Sequence, residues 1–256
     1  MSAAVAVTKV QLRILRNDPW FLVIMFGMPL VVMPLLKDTI GLSLVSSGFE
    51  GATGAELVVP GQAVLFGFFV GGSAGFCVFR EHGWKTWDRL RASQAPPAAL
   101  LAGIALPWVV ILTAYQAMLF LVGGLVLDLR FNGGSPFAAL LVMIGYSILV
   151  TSFIMWASSS FRTVHQLNAV QNVGAMAFGG LGGALVPLEQ LPGWAETIAP
   201  ATPAYWAMDG FRAVLLEAGG VSDVLLSLAV MVGGGLVFTG LAVRRFRADE
   251  TKEFFA

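Results

Sequence analysis

Charge along this chain comes in islands, and long uncharged stretches separate them. Residues 20–36, 57–79, 92–127, 131–161, 163–188 and 224–243 contain no Asp, Glu, Lys or Arg. A helix crosses the hydrocarbon layer with about 20 mainly apolar residues. A single Asp, Lys or Arg at its centre costs on the order of 3 kcal/mol. The pattern therefore predicts an all-α membrane protein with six transmembrane helices. They fall at about residues 20–37, 57–79, 98–127, 136–160, 166–187 and 222–243. Pro29 and Pro34 predict a bend in the first.

Two pieces between the spans have a period of their own. In residues 7–17, Lys9, Arg13 and Arg16 share one helical face, and Val7, Val10 and Ile14 share another. That is the pattern of an interfacial helix, and equally of a basic flank that fixes topology. In residues 187–221 proline and glycine cut the chain into two short helical pieces rich in aromatics and acids. They predict an outer, re-entrant helical hairpin before the last span. Its Trp194, Tyr205 and Trp206 are candidates for an outer gate.

The basic residues orient the bundle. With six spans, twelve of the fifteen Lys and Arg residues fall on the side of both termini, and Lys37, Arg130 and Arg212 fall on the other. Excess Lys and Arg marks the cytoplasmic side. The expectation is a multi-pass protein of the inner (plasma) membrane with both termini cytoplasmic. Residues 80–91, "REHGWKTWDRLR", then form a cytoplasmic loop. Drawn as a helix, Glu81 and Lys85 pair at i and i+4, and Trp84, Trp87 and Arg91 share a face. A headgroup anchor fits this pattern as well as a docking element does.

Composition supports the membrane reading. The chain has 256 residues, 57% hydrophobic and 12% charged, where soluble domains carry about a quarter charged. The formal net charge of zero does not suggest nucleic acid. Cys77 is the one cysteine, so no intrachain disulfide forms, and a buried thiol is the expectation. The apolar run after Arg16 exceeds a signal-peptide core of about 7–15 residues. It reads as a retained span.

Chemical motifs fail on inspection. Gly83-Trp84-Lys85-Thr86 ends like a phosphate loop, but Trp84 and Phe79 stand where glycine is required. Gly71-Gly72-Ser73-Ala74-Gly75 matches the letters of a nucleophile elbow, yet it lies in an apolar span without a base at depth. No metal-ligand spacing occurs, and no catalytic or metal residue is assigned. Two glycine ridges do stand out: Gly67, Gly71 and Gly75, and Ala175, Gly179 and Gly183. Such ridges serve fixed packing within a bundle or faces that slide or dimerise. Polar groups in the spans are Gln62, Tyr115, Gln116, Asn168, Gln171 and Asn172. With Phe66 they are candidates for a path lining, or they bridge helices. No spanning residue is charged, which argues against proton or ion coupling.

Three stretches together resemble the membrane subunit of ABC-2 type exporters. A basic segment leads into a proline-containing first span, "KVQLRILRNDPWFLVIMFGMPLVVMPLL". A loop with an Arg-Glu start follows the second span, "REHGWKTWDRLRASQAPPAALLAG", and a proline-rich outer segment ends in an aromatic and an arginine, "VPLEQLPGWAETIAPATPAYWAMDGFRAVLL". The resemblance implies one transmembrane domain over residues 1–256, with a coupling helix at about residues 80–91. That helix would dock a separate ATPase through Arg80, Glu81, Trp84, Lys85, Thr86, Arg89 and Leu90, with Trp84 and Trp87 bracing it against bundle or lipid. It implies no cofactor on this chain, with ATP and magnesium bound by the partner subunit. It also implies a second permease subunit, like or unlike. A hydrophobic or amphipathic cargo such as a drug, antibiotic or lipid-like molecule is expected. A polymer exporter of the same family, or a scaffold or immunity protein that transports nothing, are the alternatives.

Overall fold

A computed structural model describes residues 20–49, 51–83 and 96–246. The interfacial-helix residues Lys9, Arg13 and Arg16, and Trp84, Lys85, Thr86, Arg89 and Leu90 of the loop, lie outside the described residues. Every regular element among the described residues is a helix: α1 Trp20–Ser46, α2 Ala55–Gly83, α3 Pro97–Val126, α4 Pro136–Ser160, α5 Val164–Leu181, α6 Gly193–Ile198, α7 Pro203–Leu215 and α8 Leu225–Arg245. Short 3-10 turns at Leu188–Gln190 and Ala199–Ala201 flank α6.

Five of these helices, α1, α2, α3, α4 and α8, are long and apolar enough to cross a membrane. α5 is not among the five. It has 18 residues, and Gln166, Asn168, Gln171 and Asn172 dilute its apolar content. α1 does not stop near residue 37 as expected. It continues through Lys37 and Asp38 to Ser46, because the apolar TIGLSLVS segment sustains the helix and the two charged residues sit at least partly in the open.

The helix starts are written in local sequence. Ser135 and Thr202 cap α4 and α7, each followed by proline at the first helical position, where its missing N–H costs nothing. Thr163 and Gln166 form a capping box on α5, each side chain taking the other's backbone N–H. Before α2, the buried Glu56 carboxylate accepts from the backbone N–H groups of Thr53 and Gly54 at 3.0 and 3.1 Å, and from the Thr53 hydroxyl. That converts an isolated buried charge into a satisfied one.

α4 sits at the centre and packs on α2, α3, α7 and α8. The glycine ridge of α2 lies against it: a Cβ on Gly67 would meet Tyr146, one on Gly71 would meet Val150, and one on Gly75 would meet Ser158. α2 and α4 therefore run parallel. The ridge serves packing within the bundle. The second ridge does the same, with Gly179 on Leu65 and Gly183 on Leu188. α5 and the turn after it run antiparallel to α2, from Leu167 beside Gly75 to Ala184 beside Gly61. There the approach is closest: a Cβ at Gly61 would stand 2.0 Å from the Ala184 carbonyl oxygen.

Candidate functional site

The bundle has two ends, and chemistry-bearing residues collect at both. At one end α2 runs on past Phe79 through Arg80, Glu81 and His82 to Gly83. Phe79 packs there with Ala157 of α4 and Leu167 of α5 in a small separate apolar cluster. The first residues of the expected docking loop are thus a direct helical continuation of α2. Gly71-Gly72-Ser73-Ala74-Gly75 lies inside the same unbroken helix, so the sharp strand-to-helix turn a nucleophile elbow needs does not exist.

Between the ends, three of the polar residues singled out in the spans, Tyr115, Gln116 and Gln171, sit at separate seams. The Tyr115 hydroxyl donates to the Met25 carbonyl at 3.0 Å, and its ring lies 4.8 Å from Phe26, tying α3 to α1. Gln116 donates to the Met143 carbonyl and the Ser147 hydroxyl at 3.2 and 2.9 Å, tying α3 to α4. Gln171 donates to the Phe69 carbonyl at 2.8 Å, tying α5 to α2. Gln62 is buried, and among the described residues its Oε1 has no hydrogen-bond partner. Phe66 is half-buried with its ring 6.0 Å from Phe69. Asn172 is exposed and donates to the Asn168 carbonyl one turn back. The structure does not gather these seven around one cavity. On α5, a shallow apolar hollow of ≈ 340 Å³ opens among Val170, Val173, Gly174, Ala177 and Phe178.

The other end carries a polar pocket of ≈ 300 Å³ that the list of candidates missed, apart from Tyr205. Its centre is Arg212 of α7. The guanidinium pairs with Glu189 of the first 3-10 turn and, at 3.2 Å, with Glu217 beyond α7. It also lies 5.3 Å from the centre of the Phe49 ring, in the α1–α2 connection. Burial pulls the Arg212 pKa down, but the hydrogen bonds and charges of Glu189 and Glu217 outweigh it and leave the guanidinium above its ordinary value. Gln190, next to Glu189, hydrogen-bonds Ser43 at the end of α1. The turn Leu188–Gln190 thus straps α1 to α7. A sequence signal for this existed: Arg212 is the one basic residue among the five acids between Pro187 and Val224.

Of the gate candidates, Tyr205 and Trp206 stack edge-on at 5.2 Å, and the Trp206 indole donates to the Pro200 carbonyl at 2.8 Å. Trp194 projects from α6, exposed, while Ala195 beside it is buried. A helical bundle with largely apolar outer faces, buried amides at its helix seams and polar groups at its two ends is an integral membrane protein. A family profile described as ABC-2 type transporter matches residues 3–216. The chain belongs to that family, whose membrane domain is the permease component and not a catalytic one.

Among curated proteins, the chain is similar to the linearmycin resistance permease protein LnrN of Bacillus subtilis (strain 168), with 23% identity over 201 residues. The match covers 78% of this chain and 52% of the relative, so the chain spans about half the length of the protein it matches. No solved structure matches the chain.

Proposed function

We propose that this chain is the membrane half of an ATP-driven exporter, moving a hydrophobic or amphipathic cargo of the drug or antibiotic kind. The observation that carries this reading is the family match across residues 3–216. The relative's name, a resistance permease, favours a small toxic cargo over a polymer. α5 is the fifth of six spans in this reading. Its flank along α2 from Gly75 to Leu65, extended to Gly61 by the turn after it, supports that, because α2 covers about 21 Å from Gly75 to Gly61 at 1.5 Å per residue. The segment α6–α7 is an outer re-entrant hairpin, the Arg80 end faces the cytoplasm, and the protein lies in the inner (plasma) membrane.

The division of labour follows. A separate ATPase subunit binds ATP and magnesium and seats on residues 80–91. Two permease subunits, alike or different, pair through α1 and α5, and cargo moves along that seam. Nucleotide-driven closure pushes on the loop and tilts α2, which continues straight into it.

The test is co-purification. A tagged chain should bring down a soluble ATPase subunit. Glu81→Arg or Leu90→Glu should cut that recovery by about tenfold, roughly 1.4 kcal/mol of binding, with no change in melting temperature. ATPase recovery that survives both substitutions sinks the assignment of the loop.

A further inference from the structure

The contact between α2 and α5 is built largely from glycine. Gly75 faces Leu167, Gly72 faces Gln171, Gly174 faces Phe68 and Gly179 faces Leu65. Such a contact brings the helices close and gains dispersion energy, but van der Waals contact has little direction. Side chains seated in glycine notches hold the register by shape alone, with no directional bond.

Gln171 supplies a fixed point. It is only 6% exposed, and its Nε2 donates to the Phe69 carbonyl of α2 at 2.8 Å. A Cβ on Gly72 would fall 2.1 to 2.5 Å from the three terminal amide atoms, so glycine at 72 is what makes room for the amide. Among the described residues, Gln171 Oε1 has no hydrogen-bond partner. A buried, half-satisfied amide is less stabilising than leucine of similar volume would be. A polar residue kept at such a cost in an apolar helix seam sets register, as a buried asparagine does in a coiled coil. A shift of one residue, about 1.5 Å, takes the amide off Phe69.

We infer that Gln171 is a positioning residue that pins the register of α5 on α2. Resting on the proposed function, the pin makes the two helices one lever. Its driven end is the Arg80 end of α2, and its working face is the open side of α5, where Asn172, Val173 and Met176 are exposed. The pin lies inside one chain and needs no knowledge of the cargo.

The experiment uses the chain with its co-purified ATPase in liposomes, with rhodamine 6G as an amphipathic probe. Gln171→Leu keeps the volume and removes the amide. ATP hydrolysis should stay near the wild-type rate while dye moved per ATP falls by about fivefold or more, the lower end of typical coupling between sites. Gly72→Ala should lower the melting temperature. Gly72→Ala with Gln171→Ala should recover that temperature, because the space is freed, without recovering dye moved per ATP. Wild-type dye per ATP in Gln171→Leu overturns the inference. So does a parallel fall of hydrolysis and transport with melting temperature, which marks a merely structural side chain. If the wild-type chain brings down no ATPase or moves no dye, the proposed function falls by itself. The thermal cycle still bears on the pin: additive effects of Gly72→Ala and Gln171→Ala would mean that the two residues do not touch, and would overturn it.

Discussion

Gly61 shows how much a single hydrogen can matter in this bundle. A Cβ there would stand 2.0 Å from the Ala184 carbonyl oxygen, a backbone atom that cannot rotate away. Accommodating a methyl group means moving the end of α5 off α2. Overpacking of this kind typically costs about 1–3 kcal/mol. Gly240 on α8 is the contrast, since nothing lies within 4 Å of a Cβ built there. In a helix interior, alanine is better than glycine by about 0.5–1 kcal/mol. Gly61→Ala should therefore lower, and Gly240→Ala slightly raise, the denaturant midpoint in SDS-titrated detergent micelles. Equal midpoints for the two variants would mean that the close approach of α5 to α2 is wrong. One local signal in the sequence was passed over. The Thr53-x-x-Glu56 spacing is that of a capping pair, and it is what lets a carboxylate sit buried at the head of α2. The Tyr146 hydroxyl was not legible. It donates to the Val64 carbonyl at 2.7 Å, 82 residues away, and no local pattern announces that partner.

Among the elements, the strap Leu188–Gln190 joins parts of the chain that are far apart in sequence. Arg212 holds it through Glu189, and Gln190 fastens it to Ser43 of α1. The pairs are partly exposed, so their worth is modest. Arg212→Met keeps the stem over Phe49 and removes the charge, and it should cost about 1 kcal/mol or less. The cost should vanish in a Glu189→Gln, Glu217→Gln background. A cost that persists undiminished there would assign the role of Arg212 to packing rather than to the two carboxylates.

Long helices were readable because they carry a strong signal: some 20 residues without charge, set off in two cases by turn residues, Pro96-Pro97 and Asn132-Gly133. α5 was harder. The uncharged stretch ran to residue 188, but the helix ends at Leu181. Gly182 and Gly183 close it, the latter at φ +82°, a conformation glycine adopts freely. The amides in the spans were also visible. Their partners were not, since Gln171 meets Phe69 across 102 residues and helical periodicity says nothing of which helix lies opposite.

On the proposed function, one outer face of the whole molecule meets a second subunit and the others meet lipid. Exposure does not decide which is which. α1, α3 and α8 all present large apolar side chains outward, among them Leu35, Leu125 and Leu236. In lipid, apolar surface alone gives no drive for helices to associate, and small or polar residues mark the faces that do. By that criterion the exposed amide of Asn172 sets α5 apart. Its open side places Asn172 with Ala169, Ala177, Val173 and Met176 around the shallow hollow, whereas α8 exposes Ala229, Gly233, Thr239 and Gly240 among Leu225, Leu226, Leu236 and Val237, with no amide. The sole native cysteine, Cys77, is buried, so introduced thiols can be read with little background. Val173→Cys and Met176→Cys are the informative positions. If the subunits are alike and pair through α1 and α5, mild oxidation in membranes should give a covalent dimer from one or both. Leu236→Cys on α8, equally exposed, should stay monomeric. Crosslinking of Leu236→Cys in preference to both α5 positions would move the seam to α8. Equal yields from all three would mean random collision, and neither face would then be the site of pairing.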